Sequence, residues 1–156
     1  MKDITIVKHG KGAKGLRYFG IGPNLKPSKG LIKLKELFDN DTFWARGRNL
    51  KGLKIMLSYS TVVITVWNKN KLVGFGRATS DYCYRSVLWD IIVAKEEKGK
   101  GIGSLMIERI IKSPEIKNVE KVYLMTTHCS EFYKQKGFKE NQNQTLLYIT
   151  KEPEIK

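Results

Sequence analysis

The stretch that decides the fold runs from an apolar strand into a glycine-rich turn and then into a helix. It reads Val87-Leu88-Trp89-Asp90-Ile91-Ile92-Val93, then Lys98-Gly99-Lys100-Gly101-Ile102-Gly103, then Ser104-Leu105-Met106-Ile107-Glu108-Arg109-Ile110-Ile111. Three glycines within five residues allow positive φ angles and a close approach of the backbone to a ligand. The helix beyond them offers unpaired N–H groups and the positive end of its dipole. The stretch therefore predicts an anion site suited to phosphate or diphosphate.

Two other glycine-rich nucleotide motifs fail on spacing. The phosphate loop of nucleoside triphosphatases needs glycine, four residues and then Gly-Lys-Ser/Thr, and the sequence has no such run. A dinucleotide fingerprint starting at Gly99 would need glycine at the place of Ser104, and it would lie in the first βα unit of the chain. A tight strand-to-helix connection without a ligand is the remaining alternative.

The turn is also part of a family resemblance. The run Lys98-x-x-Gly101-x-Gly103 resembles the Arg/Gln-x-x-Gly-x-Gly/Ala signature of the GNAT superfamily of acetyl-CoA-dependent N-acetyltransferases, with lysine in the first place. Further along the chain, Glu131 to Phe138 looks like the Phe-Tyr-x-x-x-Gly-Phe segment of the same superfamily. The two motifs occur in the family's order and separation, so together they are far more specific than either motif alone.

The resemblance covers about residues 30–140. Three stretches are similar to the plastid and cyanobacterial branch often called serotonin N-acetyltransferase-like, namely Phe43–Lys54, Leu72–Asp81 and Leu88–Asp90. The chain departs from that branch at Tyr82, where the branch has histidine, and at Arg85, where it has asparagine. The resemblance therefore extends to the coenzyme side and leaves the acceptor open.

The resemblance implies the GNAT-like acyl-CoA N-acyltransferase fold, of the α+β or mixed α/β class. Its central mixed, mostly antiparallel sheet is flanked by about four helices, and the periodicity of the sequence predicts the same class. Strands are predicted at Ile4–Val7, Leu16–Ile21, Thr61–Trp67, Leu72–Thr79, Tyr84–Val93, Val119–Met125 and Thr145–Thr150. Helices are predicted at 31–38, 50–57, 102–112 and 130–136.

Length and charge limit the kind of protein. A chain of 156 residues with 41% apolar residues fits a single domain over residues 1–156, with a variable basic N-terminal part at 1–28 and a loose tail at 151–156. The net charge is +14, and residues 1–54 hold 13 basic against 4 acidic residues. Such an excess attracts polyanions such as coenzyme phosphates, acidic protein tails or nucleic acid, unless it is only a solvated lysine surface.

Cysteine and histidine usage limits the compartment and the chemistry. Cys83 and Cys129 are the only cysteines, neither lies in a CxxC pair, and no secretory leader opens the chain. We therefore expect a reducing compartment, either the cytoplasm or, in a photosynthetic eukaryote, the plastid stroma. No apolar run is long enough to span a membrane. His9 and His128 are too isolated to build a metal site, so no metal is expected.

The resemblance places the co-substrate acetyl-CoA on two neighbouring segments. Its diphosphate is expected on the backbone N–H groups of the turn, with lysine side chains adding charge, over Lys98, Gly99, Lys100, Gly101, Ile102, Gly103 and Ser104. Its pantetheine arm is expected beside Ile91, Ile92 and Val93, where one N–H group would polarise the thioester oxygen.

The resemblance also suggests the catalytic residues. Tyr133 holds the tyrosine place of the Phe-Tyr-x-x-x-Gly-Phe segment and is expected to act as general acid toward the departing thiolate. Asp90, on the strand lining the cleft, is the expected general base, with a structural hydrogen bond as the open alternative. Strand alternation turns Asp90 away from Trp89 unless a bulge shifts the register. Asp81 and His128 are reserve candidates for the base, acting through water.

These observations predict an N-acetyltransferase that transfers an acetyl group from acetyl-CoA to a primary amine. The acceptor would be a small aryl- or alkylamine, a protein lysine or a protein N-terminus. A homodimer is left open and no membrane partner is expected. The less favoured alternative is a basic module of the same fold that contacts nucleic acid or another polyanion without catalysis, with Phe19, Phe43 and Trp44 as stacking residues.

Overall fold

The computed structural model describes residues 3–151, which form two compact units, one ending at Met125 and the other beginning at Thr126. The strands, all in the first unit, are β1 (Ile4–His9), β2 (Val62–Asn68), β3 (Lys71–Ser80), β4 (Arg85–Val93) and β5 (Lys121–Tyr123). The helices are α1 (Lys14–Phe19), α2 (Gly30–Asp41), α3 (Leu50–Ser58) and α4 (Ile102–Ile111) in the first unit, and α5 (Ser130–Lys134) in the second.

The five strands form one sheet in chain order. Strands β1 to β4 are antiparallel to their neighbours, and β4 and β5 are parallel. A parallel pair needs a crossover connection, which α4 provides between β4 and β5. The predicted mixed, mostly antiparallel sheet is therefore confirmed. No helix within residues 3–151 has the length and apolarity needed to cross a membrane.

Helices cover both faces of the central strands. On one face, the ring of Phe38 in α2 packs edge-on against Phe75 in β3, with ring centroids 5.5 Å apart. On the other face, α4 packs against β2, β3 and β4. A strand covered on both faces reads as a continuous apolar run, which explains why Val62 to Trp67 is buried throughout.

Strand β4 carries one extra residue near its middle. The ladder pairs Phe75 with Ile92 and then Arg77 with Trp89, which leaves two residues of β4 opposite Gly76. This is a β-bulge, a local irregularity that re-aims side chains.

The two residues of the bulge are Asp90 and Ile91. Asp90 adopts a left-handed backbone with φ +52°, which is uncommon for a residue with a side chain. A Cβ at position 76 would lie 2.9 Å from Ile91 Cδ1, so glycine at that position makes room for the bulge. Because the bulge interrupts the alternation of side chains along β4, Asp90 can lie on the same face of the sheet as Trp89.

The predicted strand over Leu16–Ile21 is wrong, because residues 14–19 form helix α1. Its end is fixed by Gly20, which has φ +59° and donates its N–H to Gly15 O and Leu16 O. Leu16 is fully buried and its Cδ1 lies 2.7 Å from the place of a Cβ at Gly30, so close packing against the start of α2 favours the helix. Tertiary contacts have overridden the local strand preference.

The predicted last strand over Thr145–Thr150 is also wrong, since these residues have no regular structure. A strand satisfies its backbone only beside another strand, and residues 126–151 of the second unit contain none. The apolar side chains from Leu146 to Ile149 are exposed. The remaining predicted strands and helices are confirmed, with ends that differ by a few residues; the tail predicted at 151–156 lies outside the described residues after Lys151.

His9, at the end of β1, is a buried histidine that bonds to β2. Its Nε2 lies 2.9 Å from Thr65 Oγ1, and the indole N–H of Trp67 donates to the same oxygen at 2.9 Å. Burial lowers the pKa of His9 from 6.5 to about 4. The native protein therefore keeps this imidazole neutral.

The lowered pKa predicts a loss of stability in acid. Between pH 6.5 and about 4 the unfolded chain binds a proton that the native chain does not, so this contribution is complete above pH 6.5 and falls by about 3 kcal/mol as pH drops to 4. Urea unfolding of the wild type and of His9→Gln at pH 7.5 and pH 5 checks this. The wild type should lose more stability than the variant, and equal losses would contradict the assignment.

Candidate functional site

The glycine turn begins where β4 ends. Ala94 donates its N–H to Val73 O at 2.8 Å, and a short 3-10 turn over Lys95–Glu97 follows. Gly99 and Gly101 then have φ angles of +79° and +81°. Side chains disfavour these angles, so the turn requires glycine at both positions.

The amides of this turn are unbonded. Helix α4 begins after Gly101 without a side-chain cap, and its first hydrogen bond to the turn is from Leu105 N–H to Gly101 O at 3.1 Å. Within residues 3–151, the N–H groups of residues 99–104 donate no hydrogen bond. Free amides at the positive end of a helix dipole favour a negatively charged group.

Two lysines of the turn are exposed and differ in their contacts. Lys100 Nζ donates to Glu97 Oε2 at 2.8 Å, so its charge is already paired. The other carboxylate oxygen of Glu97 accepts from Asn68 Nδ2 at 2.9 Å. The hydrogen bonds from Lys100 and then Asn68 lower the pKa of Glu97, which therefore stays ionised. Lys98 has an exposed side chain beside the turn.

The strand that leads to the turn has one open edge. Strand β5 pairs with β4 only through Arg85–Val87, so from residue 88 onward that edge of β4 has no strand partner among the described residues. The bond from Ala94 N–H to Val73 O fixes the alternation of the β3–β4 ladder. Accordingly Ile92 N–H points to β3, while Val93 N–H points to the open edge. The edge leads directly into the glycine turn.

Asp90 lies between two arginines on the face covered by α2 and α3. Its Oδ2 accepts from Arg77 Nε at 2.7 Å, and its Oδ1 accepts from Arg48 Nη1 at 3.1 Å. Only 7% of the Asp90 side chain is exposed. Arg77 also lies 5.6 Å from the centre of the Trp89 ring. Asp90 therefore joins β3, β4 and the loop between α2 and α3 in one ion-pair cluster.

The reserve candidate Asp81 forms a tight turn before β4. Its Oδ1 accepts from the backbone N–H groups of Cys83, Tyr84 and Arg85 at 2.7 to 2.9 Å. The bond from Arg85, followed by that from Cys83, lowers the pKa of Asp81. The other reserve candidate, His128, belongs to the second unit, two residues before α5.

Tyr133 lies in the second unit and sits within a small aromatic cluster. Its ring packs edge-on against Phe132 and Phe138, with centroids 5.1 and 5.9 Å apart. Gly137, at φ +90°, and the bond from Phe138 N–H to Tyr133 O close helix α5, as the motif spacing predicts. Burial, with a smaller contribution from Cys129, raises the pKa of Tyr133 to about 12.

The sequence analysis missed four residues of this site: Asn68, Glu97, Arg77 and Arg48. For Arg77 a signal was present, because a cation inside the apolar run of β3 and an anion inside the run of β4 suggest a buried pair. For Glu97 and Asn68 the sequence gives no signal, since 29 residues separate them and both belong to polar segments. Within residues 3–151, no group of three or more His, Cys, Asp or Glu side chains could hold a metal ion.

Three features together define the class of the protein. They are the mixed sheet, the edge of β4 left open after Val87, and the glycine turn with its unbonded amides. The model of the acetyltransferase (GNAT) domain matches residues 59–140, more than half of the chain, and the chain belongs to this family. The predicted serotonin N-acetyltransferase-like branch stays a prediction.

Relatives and solved structures agree with the family. The chain is 32% identical over 113 residues to an uncharacterized N-acetyltransferase, ycf52, of Porphyra purpurea, covering 69% of this chain and 64% of that protein. The chain is 30% identical over 71 residues to the chloroplastic GCN5-related N-acetyltransferase 2 of Arabidopsis thaliana, covering 45% of this chain and 28% of that one. The match therefore spans less than two thirds of either relative.

A solved structure shares the fold. The GNAT family acetyltransferase from Streptococcus pneumoniae TIGR4 superposes with a TM-score of 0.69 at 22% identity, over 96% of this chain and 99% of that one. At this identity the similarity concerns the fold alone.

Proposed function

We propose that this protein is an N-acetyltransferase that transfers the acetyl group of acetyl-CoA to a primary amine. The observation that carries the proposal is the row of unbonded amides at residues 99–104, placed directly after the open edge of β4. A diphosphate would find fixed donors and a helix dipole there. Lys98 and the basic surface of the chain would add long-range attraction for the coenzyme phosphates.

The open edge of β4 suits the pantetheine arm. An extended amide-containing arm can pair with free strand groups as an added strand would. The Val93 N–H, which points to that edge, is our candidate for the donor that polarises the thioester oxygen. Ile91 and Ile92 would border the same arm, as the family resemblance implies.

Tyr133 is proposed as the general acid on the strength of the motif. A phenol with a pKa of about 12 stays protonated at every physiological pH, as a proton donor must. Because the phenol is then less acidic than an ordinary thiol, its contribution would be a hydrogen bond to the developing thiolate. Any proton that the phenol passes to the thiolate would be replaced by the proton that the acetylated nitrogen sheds.

For the base, we propose that the amine loses its proton to water and that Asp90 acts as a positioning residue. Both carboxylate oxygens of the almost fully buried Asp90 side chain are already engaged, one by Arg48 and the other by Arg77. Through Arg48, Asp90 holds the loop between α2 and α3 beside β4. Asp90 as a general base is the alternative outcome of the test below.

An aromatic pair on this loop favours an arylamine among the acceptor classes. Phe43 and Trp44 pack edge-on with ring centroids 5.2 Å apart, and both side chains are more than half exposed. Arg48, on the same loop, is tied to Asp90 of β4. Exposed aromatic rings on a loop anchored to β4 would contact a flat amine over a larger area than they would a lysine side chain. The chloroplastic relative supports the plastid stroma as the compartment.

Acetyl-CoA binding and turnover test the function. We expect acetyl-CoA at 100 times its Kd to add about 2.7 kcal/mol of stability, measured by thermal shift. Thiol release should then appear with arylamines before alkylamines and lysine peptides. An absence of both binding and thiol release with every amine would refute the proposal.

Two glycine variants give the matched control for that test. Gly101→Ala and Gly47→Ala both place a Cβ in open space at a positive φ, so each should cost about 1 kcal/mol of stability. Only Gly101→Ala should weaken acetyl-CoA binding, because only that residue belongs to the turn.

Replacing the hydroxyl of Tyr133 tests the general acid. Tyr133→Phe should lower kcat by about 100-fold, the low end for a positioned proton donor, and leave the KM for acetyl-CoA within about twofold. Tyr148→Phe, at an exposed tyrosine of the same unit, is the control and should retain wild-type kinetics. Equal kcat values for the two variants would remove Tyr133 from the mechanism.

The pH dependence of Asp90→Asn separates positioning from base catalysis. If Asp90 is a positioning residue, replacing it should lower the stability of the protein by roughly 3 kcal/mol, since two guanidinium groups lose a buried partner. The kcat/KM of the variant should fall, but its profile should keep the wild-type inflection on the acid side. Loss of that inflection would instead assign Asp90 as the base.

A further inference from the structure

The start of the glycine turn contains a buried carboxylate, which is unusual beside a site for an anion. Glu97 ends the 3-10 turn after β4, and only 9% of its side chain is exposed. A negative charge at this place would repel a diphosphate, so its presence calls for a structural explanation. The hydrogen bonds of the Glu97 carboxylate provide one.

The carboxylate of Glu97 bridges two segments that are distant in sequence. Its Oε1 accepts from Asn68, the last residue of β2, and its Oε2 accepts from Lys100, in the middle of the glycine turn. Asn68 pairs with Lys71 across the β2–β3 hairpin, so it belongs to the rigid sheet. Glu97 therefore connects the sheet to the turn, and Lys100 neutralises its charge.

The turn has little else to hold it in shape. Before it, Ala94 is bonded to β3, and the Lys95 N–H donates to Asp41 Oδ1 of α2 at 2.9 Å. From residue 98 to residue 104, the bond between Lys100 and Glu97 is the single side-chain hydrogen bond within the described part of the chain. Two glycines in this span make an untethered turn flexible, and ordering it on binding would reduce affinity.

We propose that Glu97 is a positioning residue that holds the glycine turn in its anion-binding form through Asn68 and Lys100. The inference rests on the proposed function, because it assumes that the coenzyme diphosphate binds to this turn. Asn68 fixes the Glu97 carboxylate to the sheet, and Lys100 connects that carboxylate to the turn. The charge of Glu97 is secondary, since it is cancelled by Lys100.

Variants of Glu97 and Asn68 separate the two halves of the bridge. Glu97→Ala removes both hydrogen bonds, and we expect the Kd for acetyl-CoA, measured by isothermal titration calorimetry, to rise about tenfold. Glu97→Gln keeps an oxygen that accepts from Asn68 but frees Lys100, and Asn68→Ala keeps the Lys100 bond but frees Glu97 from the sheet. Each of these two variants should raise the Kd, but by less than Glu97→Ala does.

The matched control is Glu96→Ala. Glu96 is the preceding residue, is exposed, and pairs with Lys71 outside the turn, so its variant should bind acetyl-CoA as the wild type does. Hydrogen exchange without acetyl-CoA gives a second measurement. Glu97→Ala should raise the exchange rates of the hydrogen-bonded amides that flank the turn, those of Lys98 and Leu105, and leave those of β2 and β3 unchanged, which a global loss of stability would not do.

Each outcome decides the matter. The proposal is overturned if Glu97→Ala matches Glu96→Ala in affinity and in exchange, or if Glu97→Gln and Asn68→Ala both bind acetyl-CoA as the wild type does. If the wild type does not bind acetyl-CoA, the proposed function fails by itself. The exchange measurement then still tests whether Glu97 holds the turn.

Discussion

The structure depends on an asymmetry in β4. Along one side this strand pairs with β3 from Ser86 to Val93, and along the other it pairs with β5 through three residues only. An unpaired strand edge exposes backbone donors and acceptors, which proteins usually cover or interrupt. Here the open edge is followed by a short 3-10 turn with bonded amides and then by a glycine turn whose amides at residues 99–104 are unbonded. Free backbone donors therefore lie both along the strand edge and at the start of the helix.

This row is a preorganised electrostatic site. Backbone amides fixed by a strand and by a helix need no rearrangement when an anion arrives, which makes them more effective than mobile lysine side chains. The turn itself holds a buried anion, Glu97, yet Lys100 and Asn68 satisfy both of its oxygens. The Glu97 carboxylate therefore tethers the turn, and because Lys100 compensates its charge, it repels an incoming anion only weakly.

A second buried carboxylate, Asp90, also holds separate segments together, on the face of β4 that α2 and α3 cover. Asp90 lies at the bulge with a left-handed backbone, and it ties Arg77 of β3 and Arg48 of the α2–α3 loop to one point. A strained backbone persists only where the surroundings fix it, and two ion pairs do so here. The glycine turn and the α2–α3 loop are thus each held by one buried acid, Glu97 and Asp90 respectively.

Local rules are sufficient to predict the strand, the glycine turn and α4: an apolar run, glycines at positive φ and a helical repeat of apolar residues. Those rules also gave the unbonded amides, since any helix start without a cap leaves them free. They failed at Leu16–Ile21 and Thr145–Thr150, where strand-like residues met a neighbouring helix or no strand at all. The bulge at Asp90, its two arginine partners and the bridge from Glu97 to Asn68 arise only when distant segments pack together. The partners of a buried charge depend on which segments become neighbours in space, and no local pattern of residues contains that information.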